Sequence, residues 1–98
     1  MKNIAILGST GSIGVNALKV IQGNPEEYKV IALAAGRNVE LLMKQIEEFR
    51  PRAVAVLEEK LVSQLKDRFA KKGRPEIFFG TDGFKFLVSM DQVDTVIS

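Results

Sequence analysis

The first apolar stretch of the chain, Ile4-Ala5-Ile6-Leu7, is stopped by Gly8 and is too short for a helix. A continuous run of this length fits a strand buried on both faces. From Ser12 to about Gln22 the pattern changes: Ile13, Ala17, Val20 and Ile21 recur at i, i+4, i+7 and i+8, the spacing of one helical face. Gly23-Asn24-Pro25 ends that helix. Tyr28 to Ala35 is again almost wholly apolar, with β-branched Val30 and Ile31 near its start, and reads as a second buried strand stopped by Gly36.

Asn38 is a good N-cap for a helix whose Val39, Leu42, Ile46 and Phe49 form one stripe, with Glu40 and Lys44 a turn apart on the other side. Pro51 closes it. Ala53 to Leu57 is the third strand, and Leu61, Leu65 and Phe69 mark a third helix ending near Gly73. Ile77-Phe78-Phe79 predicts a short fourth strand. Thr81 caps a helix running through Phe84, Leu87 and Val88, and Val93 to Ile97 is the last strand.

Alternating buried strands and amphipathic helices predict an α/β fold, and right-handed crossovers leave few topologies. The expected architecture is a Rossmann-like open parallel sheet with helices on both faces. No internal repeat, linker or low-complexity stretch interrupts it. Because Ser98 follows an apolar strand directly, the expected sheet is truncated after that strand, residues 1–98 being one incomplete domain.

Composition narrows the chemistry. The 98 residues are 46% hydrophobic and 27% charged, the balance of a globular domain with a single core. There is no His, Cys or Trp. That removes Cys-rich and His-rich zinc sites, thiolate nucleophiles, disulfides and imidazole acid–base catalysis. Net charge is +2, and the densest cationic cluster, Lys71-Lys72-Gly73-Arg74, reads as a solvated helix end rather than a nucleic-acid patch. No stretch approaches the roughly 18 consecutive apolar residues of a membrane span, and there is no leader pattern, so the expected location is cytoplasmic.

Gly8-Ser9-Thr10-Gly11-Ser12-Ile13-Gly14 follows the first strand and opens the first helix. A pyrophosphate sits well at such a helix N-terminus, where unpaired N–H groups and the helix dipole favour negative charge. Gly8 permits the turn out of the strand, Gly11 the close approach of phosphate and Gly14 tight helix packing. Ser9, Thr10 and Ser12 add hydroxyl donors. The spacing is GxxGxxG rather than GxGxxG, a variant of the dinucleotide turn, and no Gly-Lys-Ser/Thr follows to make a P-loop. After the second strand an NAD site places a carboxylate on the ribose 2′-OH. Here that place holds Gly36-Arg37-Asn38. Arg37 can pair with a 2′-phosphate and Asn38 can donate to it, which points to NADPH.

With Asn24-Pro25, Ala32-Leu33-Ala34-Ala35-Gly36-Arg37-Asn38 and Phe49-Arg50-Pro51-Arg52 added to the glycine loop, the chain resembles the N-terminus of the 1-deoxy-D-xylulose 5-phosphate reductoisomerase family. The resemblance is most specific from Lys2 to Ala55. It implies an enzyme of non-mevalonate isoprenoid biosynthesis that isomerises 1-deoxy-D-xylulose 5-phosphate and reduces the product with NADPH to 2-C-methyl-D-erythritol 4-phosphate. It also implies Mg²⁺ or Mn²⁺ on the substrate's oxygens, a homodimer when full length, and no nucleic-acid or membrane partner. By position, Thr10, Gly11, Ser12 and Ile13 would contact the pyrophosphate, and Gly36, Arg37 and Asn38 the 2′-phosphate. The family's metal carboxylates, substrate-phosphate ligands and catalytic His loop have no counterpart here, so no catalytic or metal residue is assigned and this segment is expected to be incompetent alone. Asp91 and Asp94 read as solvated or capping carboxylates. Two alternatives stay open: the NADP-binding domain of another reductase such as a semialdehyde dehydrogenase, and a non-catalytic nucleotide-sensing module.

Overall fold

The computed structural model describes Met1–Ser98. Five strands form one parallel sheet: β1 (Lys2–Leu7), β2 (Tyr28–Ala34), β3 (Ala53–Val56), β4 (Glu76–Phe79) and β5 (Thr95–Ile97). Four helices connect them: α1 (Ser12–Gln22), α2 (Val39–Phe49), α3 (Lys60–Arg68) and α4 (Gly80–Val88). The spatial order is β4-β3-β2-β1-β5. From β1 the chain steps outward through β2 and β3 to β4, then returns to place β5 on the other side of β1. Right-handed crossovers put helices of opposite travel on opposite faces. α1, α2 and α3 therefore share one face and α4 covers the other, as the two core clusters show.

The two faces are packed differently. Ile4, Ile6, Val30, Leu33, Val54 and Val56 meet Leu18, Ile21, Leu42, Ile46, Leu61 and Leu65 from the three helices. Toward α4 the sheet presents Ala5, Ala32, Ala34, Ala53 and Ala55, with Ile31, against Leu87. Small side chains there let a single helix approach closely. Gly83 is part of that approach, since a Cβ on it would lie 2.9 Å from the Phe78 Cβ.

A bulge sets the phase of β2. Ile4 pairs with Val30 but Ala5 with Ala32, so Ile31 is an extra residue in the ladder. Val30 and Leu33, an odd number of residues apart, thereby both face the three-helix side, while Ile31 and Ala32 both face α4. Strict alternation would have turned Leu33 away from that side.

Several expected details shift. Ile13 and Val20 are not on the buried face of α1; they are 67% and 60% exposed, while Gly14, Leu18 and Ile21 are buried. The apolar surface of α1 is wider than the strip of sheet beneath it, and Val20 lines an open groove of about 700 Å³ with Met1, Ile4, Tyr28 and Ile97. α3 ends at Arg68 with Phe69 as its C-cap, short of Gly73. α4 begins at Gly80 with Phe79 at its N-cap, so Thr81 lies inside the helix and caps nothing. β5 is limited to Thr95–Ile97, because the Asp94 carboxylate and amide both engage Asn3 before pairing starts.

Candidate functional site

The order in which strands are added reverses between β1 and β5, where the loops leaving the C-terminal ends of these parallel strands diverge. Such a switch point is where open α/β sheets bind ligands. The loop leaving β1 there is Gly8-Ser9-Thr10-Gly11. Gly8 has φ +74°, a conformation that side chains resist, and its N–H and that of Ser9 both donate to the Ala34 carbonyl, at 2.7 and 2.9 Å. The Gly11 N–H closes the turn on the Gly8 carbonyl at 3.1 Å.

Gly14 is buried against this turn. A Cβ there would stand 2.3 Å from the Gly8 oxygen and 2.6 Å from the Ser9 Cα, so the helix packs on the loop's own backbone as well as on the sheet. Gly11 differs. Its nearest neighbour to a Cβ is the Gly8 oxygen at 3.5 Å, so nothing inside the protein requires glycine at that position, and its outer surface is open.

The backbone N–H groups of Thr10, Ser12, Ile13 and Gly14 have no acceptor in the fold. No side chain caps α1. Four free N–H groups around a helix start, with Gly8, Gly11, Ser12 and Ile13 exposed, make a cradle for an anion. The exposure of Ile13 is thus a property of this surface. Ser9 departs from expectation: it is fully buried, and its hydroxyl has no partner and does not reach the surface. Its carbonyl accepts the Gln45 Nε2 hydrogen at 2.8 Å. Gln45 comes from the buried side of α2 and ties that helix to the loop. Its position among Leu42 and Ile46 on the apolar stripe was the signal that could have revealed it.

The second group lies past β2. Gly36 is half-buried and Arg37 and Asn38 are exposed. The backbone N–H groups of all three lack acceptors. The Asn38 side-chain oxygen accepts from the Leu41 N–H at 3.2 Å, the expected N-cap, which leaves its Nδ2 free. Arg37 is already engaged: its Nε donates to Glu58 Oε1 at 2.6 Å. Lys60 Nζ lies 3.5 Å from the other oxygen of Glu58. The Arg37 hydrogen bond first, and the Lys60 charge second, hold the Glu58 carboxyl below the usual carboxylate range. Glu58 and Lys60 were not among the expected site residues; Glu58 reaches Arg37 only because β3 lies beside β2, and Lys60 pairs with Glu58 alone.

The family model of 1-deoxy-D-xylulose 5-phosphate reductoisomerase matches residues 4–98. The chain belongs to this family. Among curated reductoisomerases, that of Geotalea uraniireducens is 46% identical over the whole chain and that of Chlorobaculum tepidum 44%, the chain covering 25% of each. It therefore spans about a quarter of the length of the relatives it matches. A crystal structure of DOX-P reductoisomerase in complex with NADPH, fosmidomycin and magnesium superposes with a TM-score of 0.90 at 32% identity, covering 98% of this chain and 24% of that one. The Zymomonas mobilis reductoisomerase in complex with NADPH gives 0.84 at 31% identity, with 93% of this chain and 24% of that one covered. Membership of the reductoisomerase family decides against the semialdehyde-dehydrogenase and sensor alternatives.

Proposed function

We propose that residues 1–98 are the NADPH-binding part of a 1-deoxy-D-xylulose 5-phosphate reductoisomerase, with the catalytic and C-terminal domains lying outside this chain. The observation that carries the reading is the cradle of free N–H groups at the strand-order reversal. Thr10, Ser12, Ile13 and Gly14 offer amides to the pyrophosphate, and Gly8 and Gly11 leave its approach clear. Gly36, Arg37 and Asn38 receive the 2′-phosphate through their amides, the Asn38 Nδ2 and the guanidinium. NADPH supplies hydride when bound. The task of this chain is to fix the adenosine and pyrophosphate so that the nicotinamide end lies at a defined place.

The whole enzyme, on this reading, isomerises the phosphorylated sugar and reduces the product, with Mg²⁺ or Mn²⁺ on the substrate. The residues here do not fit that metal: no group of three or more His, Cys, Asp or Glu side chains could hold an ion. Metal chemistry is accordingly assigned to other parts of the enzyme, and this chain alone does not turn over substrate. Homodimer formation and a cytoplasmic location belong to the full-length protein. In this fold no helix is long and apolar enough to cross a membrane.

Titration of the chain with NADPH and NADH, followed by nicotinamide fluorescence, tests the reading. NADPH is expected to bind more tightly, and Arg37→Ala to weaken NADPH by about 10- to 100-fold, the worth of a charged hydrogen bond, with little effect on NADH. Equal affinities, or no binding by a chain shown to be folded, would refute it.

A further inference from the structure

We propose that Glu58 is a positioning residue for cofactor discrimination: it grips Arg37 by the Nε and thereby presents the two terminal guanidinium nitrogens to a 2′-phosphate. The inference rests on the reading that Arg37 receives that phosphate. A carboxylate near such a site would ordinarily repel it. Three features turn Glu58 from a competitor into a support.

The first is the atom used. Glu58 accepts from Nε at 2.6 Å, and no other side-chain contact engages the guanidinium. The edge formed by the two terminal nitrogens stays available for a bidentate contact with phosphate oxygens. The second is the backbone. The Leu57 N–H donates to the Gly36 carbonyl at 3.2 Å, which joins the exits of β2 and β3 and brings Glu58 opposite Arg37. The Arg37 side chain is 73% exposed, and without this hold its long stem would sample many rotamers that binding must then freeze. The third is charge. Lys60 lies 3.5 Å from the second oxygen of Glu58, so one anion stands between two cations and the cluster keeps a net positive charge. The carboxyl, held below the usual carboxylate range, stays ionised through the neutral pH at which the cofactor is titrated.

Positioning and competition predict opposite signs. If Glu58 positions Arg37, Glu58→Ala weakens NADPH by about 3- to 10-fold, the cost of ordering one freed side chain, and leaves NADH unchanged. Glu58→Gln retains an acceptor for Nε and recovers most of the loss. In the Arg37→Ala background, Glu58→Ala has no further effect on NADPH. In the ligand-free chain, the Arg37 Nε–H resonance moves toward its free-side-chain position in Glu58→Ala. NADPH affinity that rises or stays level in Glu58→Ala, or falls equally with that of NADH, overturns the proposal. If Arg37→Ala itself leaves the NADPH-to-NADH ratio unchanged, the assignment of the 2′-phosphate to Arg37 has failed, and the role of Glu58 falls with it.

Discussion

Gly14→Ala tests the architecture of the loop with the smallest possible perturbation. The added methyl would lie 2.3 Å from the Gly8 oxygen, 2.6 Å from the Ser9 Cα and 2.8 Å from the Ser9 carbonyl carbon, all of them backbone. Reaching an ordinary contact near 3.4 Å requires α1 and the loop to separate by about 1 Å. That motion is opposed by the Gly8 and Ser9 hydrogen bonds to Ala34 and by the Gln45 bond to Ser9. Overpacking costs about 1–3 kcal/mol, and a clash with pinned backbone belongs at the upper end. Exchanging a helical glycine for alanine returns about 1 kcal/mol. The net loss is about 2 kcal/mol, which in a domain of this size lowers Tm by about 8–16 °C. Urea and thermal unfolding measure the loss, and cofactor titration should show NADPH and NADH weakened together. Gly11→Ala is the control: its methyl meets ordinary contact, so stability falls by no more than about 1 kcal/mol while affinity for both cofactors drops. A Gly14→Ala chain as stable as wild type, or more stable than Gly11→Ala, would refute the close-packed account of the loop.

Gln45→Leu removes the only donor to the buried Ser9 carbonyl and should cost about 1–3 kcal/mol in urea unfolding, with weaker binding of both cofactors because the loop is released. The Glu58 carboxyl is lower in pKa when folded than when unfolded, so its contribution is present above the unfolded carboxylate pKa and lost as pH falls through the folded value. The Tm difference between wild type and Glu58→Gln should accordingly be present at neutral pH and shrink as pH falls below the ordinary carboxylate range and the folded carboxyl takes up its proton. A difference that persists in acid would assign the effect to packing.

The order of elements and the place of the glycine loop were legible because both are written locally. Strands covered on two faces must be nearly continuous apolar runs, and helices lying on a sheet must repeat at 3.6 residues. Gly8 and Gly14 were readable for the same reason, since a turn from strand into helix leaves little choice of residue. Asn38 as an N-cap followed from its own position.

What escaped the sequence depends on neighbours distant along the chain. Periodicity puts Ile13, Val20 and Ile21 on one face, but only the placement of α1 over β1 and β2 decides that Ile21 is covered together with Leu18 while Ile13 and Val20 stay exposed. The bulge at Ile31 is invisible in an unbroken apolar run, because every residue there is buried on one face or the other. Ser9 looked like a donor and is a buried anchor, held by a residue 36 positions away. Arg37 looked free and is paired with Glu58, 21 positions on. Sequence alone determined which segments form strands and helices and where an anion could be cradled, since backbone geometry and local burial set those. Tertiary structure decided which face each helix buries, how the cradle is held and which carboxylate grips its cation. Those outcomes follow from the strand order β4-β3-β2-β1-β5, which brings distant side chains together.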